Sequence, residues 1–200
     1  MFLMALGAAW PYLNFMLHSI RTGPLAAPSN EPIELLLSCH GKLRHFSAVS
    51  LALATRTDLA HEEATDASVR LLRYFRIALP LHEADEETSI GPALLATPAR
   101  SLVADALGTM AAQHEQLHEI LASLMPAWER VEAEPGASRP ALADARALAT
   151  LLDLHLGLEE QTIFPSILGI DPAKRRLLYV EMRGRRTPEI METMQKVVGG

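Results

Sequence analysis

Two stretches decide the fold: Leu81-His82-Glu83-Ala84-Asp85-Glu86-Glu87-Thr88-Ser89-Ile90-Gly91-Pro92 and Leu154-His155-Leu156-Gly157-Leu158-Glu159-Glu160-Gln161-Thr162-Ile163-Phe164-Pro165. They align at an offset of 73 residues, with Leu, His, both Glu, Ile and Pro in register. One helix earlier, His40 and His114 lie 74 residues apart, each followed three positions later by a leucine, Leu43 and Leu117. Each half of the chain therefore reads as an αα-hairpin with one His on its first helix and His-x-x-x-Glu on its second. Two such hairpins close an up-down four-helix bundle, so the expected fold class is all-α.

Working outward, proline and glycine mark where the helices begin and end. The linker 21–30 leads to Asn30, a capping residue, and to Pro32 in the opening turn of a first helix running to about residue 56. Its apolar positions 35, 36, 39, 43 and 46 follow helical spacing. A second helix is expected over about 62–89, kinked at Pro80, where a backbone donor is missing. Thr97-Pro98 opens a third helix that passes His118 until Pro126 disturbs it. A turn at 134–140 precedes a fourth helix, from about 140 to 163. Asp171-Pro172 and Thr187-Pro188 each pair a cap with a first-turn proline, predicting two shorter helices at the end. The expected organisation is an extension and linker (1–30), the bundle (31–168) and a helical tail (171–200).

Composition supports this reading. The 200 residues are 49% apolar but only 5% aromatic, a balance that favours helix over sheet. That length suits one domain with a sizeable core. The formal charge of −6 argues against a general nucleic-acid binder, which needs a basic face. Residues 171–200 carry seven Lys or Arg against four acids, a net +3 that leaves −9 on residues 1–170. The basic run from Lys174 to Arg186 reads as a solvated helix face. Cys39 is the single cysteine, so no intramolecular disulfide can form, which suits a reducing cytoplasm. Residues 1–20 contain no Lys, Arg, Asp or Glu. Pro11, Asn14 and His18 argue against a spanning helix there, and neither the basic start nor the small-residue cleavage site of a signal peptide is evident. An apolar extension packed on the bundle or on a partner is expected, or a start codon placed too early.

Residues four apart on a helix differ by about 40° around its axis, so His82 and Glu86 share a face, as do His155 and Glu159. Turned inward, they place imidazoles and carboxylates inside an apolar bundle, where a bound cation offsets the cost of burying charge. That donor set suits iron, manganese or zinc, and carboxylates can bridge two metals. Glu87 and Glu160 lie about 100° further round and should support the ligands or face solvent. Glu160, five positions after His155, is the alternative ligand on its helix.

These residues resemble the hemerythrin family, including its bacterial HHE-type members, over about residues 31–168. The resemblance implies metal ligands at His40, His82, Glu86, His114, His155 and Glu159, with His118 as a seventh. It implies a non-haem centre of two iron ions bridged by the carboxylates, with histidines in terminal positions. Family members bind oxygen reversibly, sense oxygen or redox state, or respond to nitric oxide and help repair iron centres. The expected partner is therefore a small diatomic, oxygen or nitric oxide, and the chain reads as a binding protein rather than an enzyme. With His118 the set resembles the oxygen carriers; without it, four histidines and two glutamates resemble the iron-repair members. Gly91 departs from the pattern, since its counterpart is Phe164.

Three competing readings follow from the same residues. His114-Glu115-Gln116-Leu117-His118 matches the H-E-x-x-H pattern of zinc proteases, with Glu115 as general base, but leaves the repeat unexplained. A ferritin-like di-iron oxidase needs Glu-x-x-His on two helices, and only Glu115 to His118 fits. A metal-free helical interaction module is the third.

Overall fold

The computed structural model of the protein describes residues 31–134 and 136–198, so the expectations for residues 1–20 and for Asn30 fall outside the described part. Helix α1 is Pro32–Thr55. Helix α2 begins at His61–Arg73 and runs on without a break through Tyr74–Ala78, Leu79–Ala84, Asp85–Ile90 and Gly91–Leu95. Helix α3 is Arg100–Ala133, and α4 runs from Leu142–Leu158 through Glu159–Ile163 to Phe164–Ile167. Helices α5 (Pro172–Gly184) and α6 (Pro188–Val198) follow. No strand occurs among the described residues. The first four helices form a closed ring in which α1 packs on α2 and α4, and α3 packs on the same two.

The prolines shape the second helix of each hairpin in a way that the sequence suggests only in part. Tyr74–Ala78, Asp85–Ile90 and Glu159–Ile163 are π-helical turns, each ending two residues before a proline: Pro80, Pro92 and Pro165. A proline in a regular helix presses its ring on the carbonyl four residues back and leaves that carbonyl without a donor. Here one wider turn absorbs the conflict. The residue before each proline donates five positions back: Leu79 to Tyr74, Gly91 to Glu86 and Phe164 to Glu159. The kink expected at Pro80 is thus a π turn, and the prolines shared by the two repeats fix the same turn twice. Pro126 does not end α3, which continues to Ala133. It sits on the exposed face, as does Ala122, whose carbonyl it leaves without a helical donor, while Leu124, Ala127, Trp128 and Val131 hold the helix from the buried side.

The core has two apolar layers. One contains Leu43, Leu71, Phe75, Leu117, Leu124, Trp128 and Leu152. The other contains Leu36, Ile90, Leu107, Met110, Ile163, Phe164 and Ile167. Each of the four bundle helices passes from one layer to the other, and the polar repeat residues lie at the crossing: His40 between Leu36 and Leu43, His114 between Met110 and Leu117.

The tail is part of this packing. Asp171 caps α5 through its carboxylate, which accepts from the N–H groups of Ala173 and Lys174 at 2.9 and 3.1 Å. Leu178 and Met182 then enter the second apolar layer. The expectation of a solvated basic face needs correction. Lys174, Arg176 and Arg183 are exposed, but Arg175 binds Glu31 and the carbonyls of Leu168 and Ile170. Arg185 and Arg186 reach Asp85 on α2.

Candidate metal centre

Six buried side chains converge between the apolar layers. His40, His82, Glu86 and Glu159 form one group; Glu86, His114, His155 and Glu159 form the other. In each group the potential ligand atoms all lie within 4.8 Å of one another. The two carboxylates belong to both groups and divide their oxygens between them. Glu86 Oε1 lies 3.1 Å from His82 Nε2 and Oε2 lies 3.3 Å from His114 Nε2. Glu159 Oε2 lies 2.9 Å from His40 Nε2 and Oε1 lies 3.2 Å from His155 Nε2.

At these distances none of the eight facing atoms has a hydrogen bond of acceptable geometry within the protein, though all are buried. Buried polar atoms are nearly always paired, and orphans on this scale are costly. Burial, reinforced by the neighbouring imidazoles, pushes the His82 pKa well below its ordinary value and that of His155 down to about 3. Burial followed by carboxylate repulsion pushes Glu86 well up and Glu159 to about 8. The protein alone therefore favours the neutral form of these four groups. Cations between them would pair the orphaned atoms and hold the carboxylates ionised, so the donor set fits two metal ions.

An outer layer orients the imidazoles. His40 Nδ1 lies 2.7 Å from Glu160 Oε1, and His114 Nδ1 lies 2.7 Å from Glu87 Oε1. His155 Nδ1 lies 3.1 Å from Gln113 Oε1. Each contact places the ring proton on Nδ1 and turns the Nε2 lone pair toward the centre, the arrangement metal-binding histidines use. Arg44 grips both oxygens of Glu160 at 2.9 and 3.0 Å, and this contact holds the Glu160 carboxyl below its usual range. Glu87 and Glu160 thus support histidines, one of the two roles that helix phase leaves open to them, and each serves the other repeat; Gln113 and the Arg44 clamp have no signal in the sequence. Only the folded ring shows that α2 serves a histidine of α3 and α4 one of α1.

The structure does not bring His118 to the centre. Its side chain is 53% exposed, with Nε2 3.0 Å from both carboxylate oxygens of Glu83. It follows His114 by one turn, but the polar layer is only one residue deep on α3, where Leu117 already belongs to the apolar layer. The protease-like pairing of His114 with His118 fails for the same reason, and Glu115 is exposed. Asp85, next to Glu86 and absent from the sequence-based set, is fully buried. Its oxygens lie 2.9 Å from Arg185 Nη1 and 2.6 Å from Arg186 Nη2. Cys39 is partly buried, and burial pushes its thiol pKa up.

A helical bundle whose buried centre is built from paired imidazoles around shared carboxylates is a cation-binding bundle. The chain matches the family model of the hemerythrin HHE cation-binding domain over residues 31–167, and it belongs to that family. It is also 33% identical over 95 residues to an uncharacterized protein of Haemophilus influenzae, a match covering 45% of this chain and 52% of that protein. The match thus spans about half the length of that curated relative. Among the described residues no helix is long and apolar enough to cross a membrane.

Proposed function

We propose that the chain is a cytoplasmic non-haem di-iron protein that binds or senses a small diatomic molecule. The reading rests above all on the way Glu86 and Glu159 divide their oxygens between two pairs of histidines. His40 and His82 would hold one iron and His114 and His155 the other, with each carboxylate bridging. Each metal would then be offered two nitrogens and two oxygens by the protein. Iron ions held there would supply redox chemistry and would bind a diatomic ligand.

The position of His118, beside Glu83 near the surface, supports one branch of this reading over the other. Four histidines and two glutamates resemble the iron-repair members of the family, so response to nitric oxide and iron handling are better supported than reversible oxygen carriage. The test is to load the protein with ferrous iron anaerobically and record visible and EPR spectra before and after oxygen or nitric oxide. The expected outcome is a spectral response to nitric oxide, with oxygen causing irreversible oxidation. A visible band that appears with oxygen and vanishes on its removal over repeated cycles would favour the carrier reading instead.

A further inference from the structure

Among the repeat positions at which the two halves differ, one bears on access to the centre. Under the 73-residue offset Gly91 stands where Phe164 stands in the other half. Phe164 is 3% exposed and lies against the His40 ring, with centroids 4.8 Å apart, covering that histidine. At Gly91 no side chain does this. A cleft of about 210 Å³ opens there instead, its walls including Glu86, Glu87, Gly91, Leu107, Met110 and Ala111. Glu87 is the residue that holds His114, and Met110 and Ala111 lie about one turn before His114 on α3.

We propose that this cleft is the docking and entry site for a small uncharged ligand, which reaches the His114/His155 side of the centre; the proposal rests on the di-metal reading above. Three features carry it. A water molecule takes about 30 Å³ of liquid volume, so the cleft admits a diatomic or triatomic guest with room to turn. Most of its lining is apolar, which suits a weakly hydrated gas. Glu87, half-exposed on its wall, disfavours anions. The glycine also keeps this wall of the cleft clear. A Cβ at residue 91 would lie 3.1 Å from the Glu86 carbonyl oxygen and 3.8 Å from Leu107 Cδ2, so a side chain would fill the cleft and press on the turn that carries Glu86.

Ala111→Trp fills the cleft from α3 and leaves the residues of the Gly91 turn unchanged, and Leu95→Trp fills it from the end of α2 should the first variant fold poorly. Two readouts separate the proposal from the reading beneath it. In ferrous-loaded protein, nitric oxide should associate at least about tenfold more slowly with the filled variant than with wild type, at equal iron content. Xenon under pressure should shift the Met110 methyl resonance in wild type, and the shift should be lost in the filled variant, whether or not iron is present. Equal nitric oxide rates at full iron content, or no xenon shift at Met110 in wild type, would overturn the proposal. A wild-type protein that takes up no iron would remove the di-metal reading itself, while the xenon shift would still decide whether the cleft accepts a small apolar guest.

Discussion

Glu86 on α2 and Glu159 on α4 occupy equivalent positions in the two repeats, and each turns one oxygen to a histidine of its own helix and the other to a histidine of a neighbouring helix. Glu86 joins His82 to His114, and Glu159 joins His155 to His40. The same two residues also accept, through their backbone carbonyls, the π-turn hydrogen bonds from Gly91 and Phe164. Backbone and side chain are thus fixed together, by prolines that the repeats share.

Because each carboxylate serves both halves, Glu86→Leu should abolish uptake of both metals rather than one. The same change removes a buried, unpaired carboxylate, so the metal-free protein should become more stable by about 1–3 kcal/mol, the usual cost of an unsatisfied buried group. Metal titration and thermal melting of apo-protein check the two effects, which have opposite signs. Loss of a single metal would show that the carboxylate does not bridge.

Glu87 and Glu160 contact His114 and His40, and through these rings they would act on a bound metal. Glu87→Ala and Glu160→Ala should each weaken metal affinity by about 10–100-fold, in line with the loss of such outer partners elsewhere. His118→Leu should change neither metal content nor spectrum, because that ring pairs with Glu83 near the surface. Competition with a chromophoric chelator ranks the three variants.

How much of this was legible in the sequence depends on distance along the chain. Helix phase puts His82 with Glu86 and His155 with Glu159, and the repeat adds His40 and His114; all six meet in the structure. Phase also favoured His118, one turn after His114, because a sequence does not show how thin the polar layer is. The prolines were visible, but whether a helix kinks or widens into a π turn depends on what it packs against. Asp85 with Arg185 and Arg186 was out of reach, since the partners are 100 residues apart and only the docking of α5 joins them.

That docking makes its own prediction. Asp85 is fully buried and is matched by two guanidinium groups that are themselves mostly buried. Replacing both arginines (Arg185→Met with Arg186→Met) should destabilise the protein by about 3–5 kcal/mol, because a buried charge then loses its partners. Adding Asp85→Asn should restore most of the loss. Denaturant melts of the three proteins check it, and no recovery would mean that the arginines act by packing alone.

The metal-free protein should have an unusual pH profile. Glu159 titrates at about 8 when folded, and Glu86 is also raised. Such groups bind protons more tightly in the folded state, so the stability they contribute is fully present below their unfolded values and is lost as pH rises through the folded ones. His155 is lowered to about 3 and His82 is lowered too, so these favour folding as pH rises towards the ordinary histidine value. The effects oppose each other until the histidines are neutral in the unfolded chain as well, at about pH 6.5. Between about pH 6.5 and 8 only the carboxylates remain, and apo-protein should lose stability with rising pH. Loaded protein should not, since the metals keep the carboxylates ionised. Thermal melts of both forms across that window check it.

The most direct measurement is the number of iron ions per chain after anaerobic reconstitution with ferrous iron and removal of the excess. Four histidines divided between two shared carboxylates predict two irons per chain in wild type and close to none in Glu86→Leu. One iron per chain, or two that survive the loss of Glu86, would contradict the account.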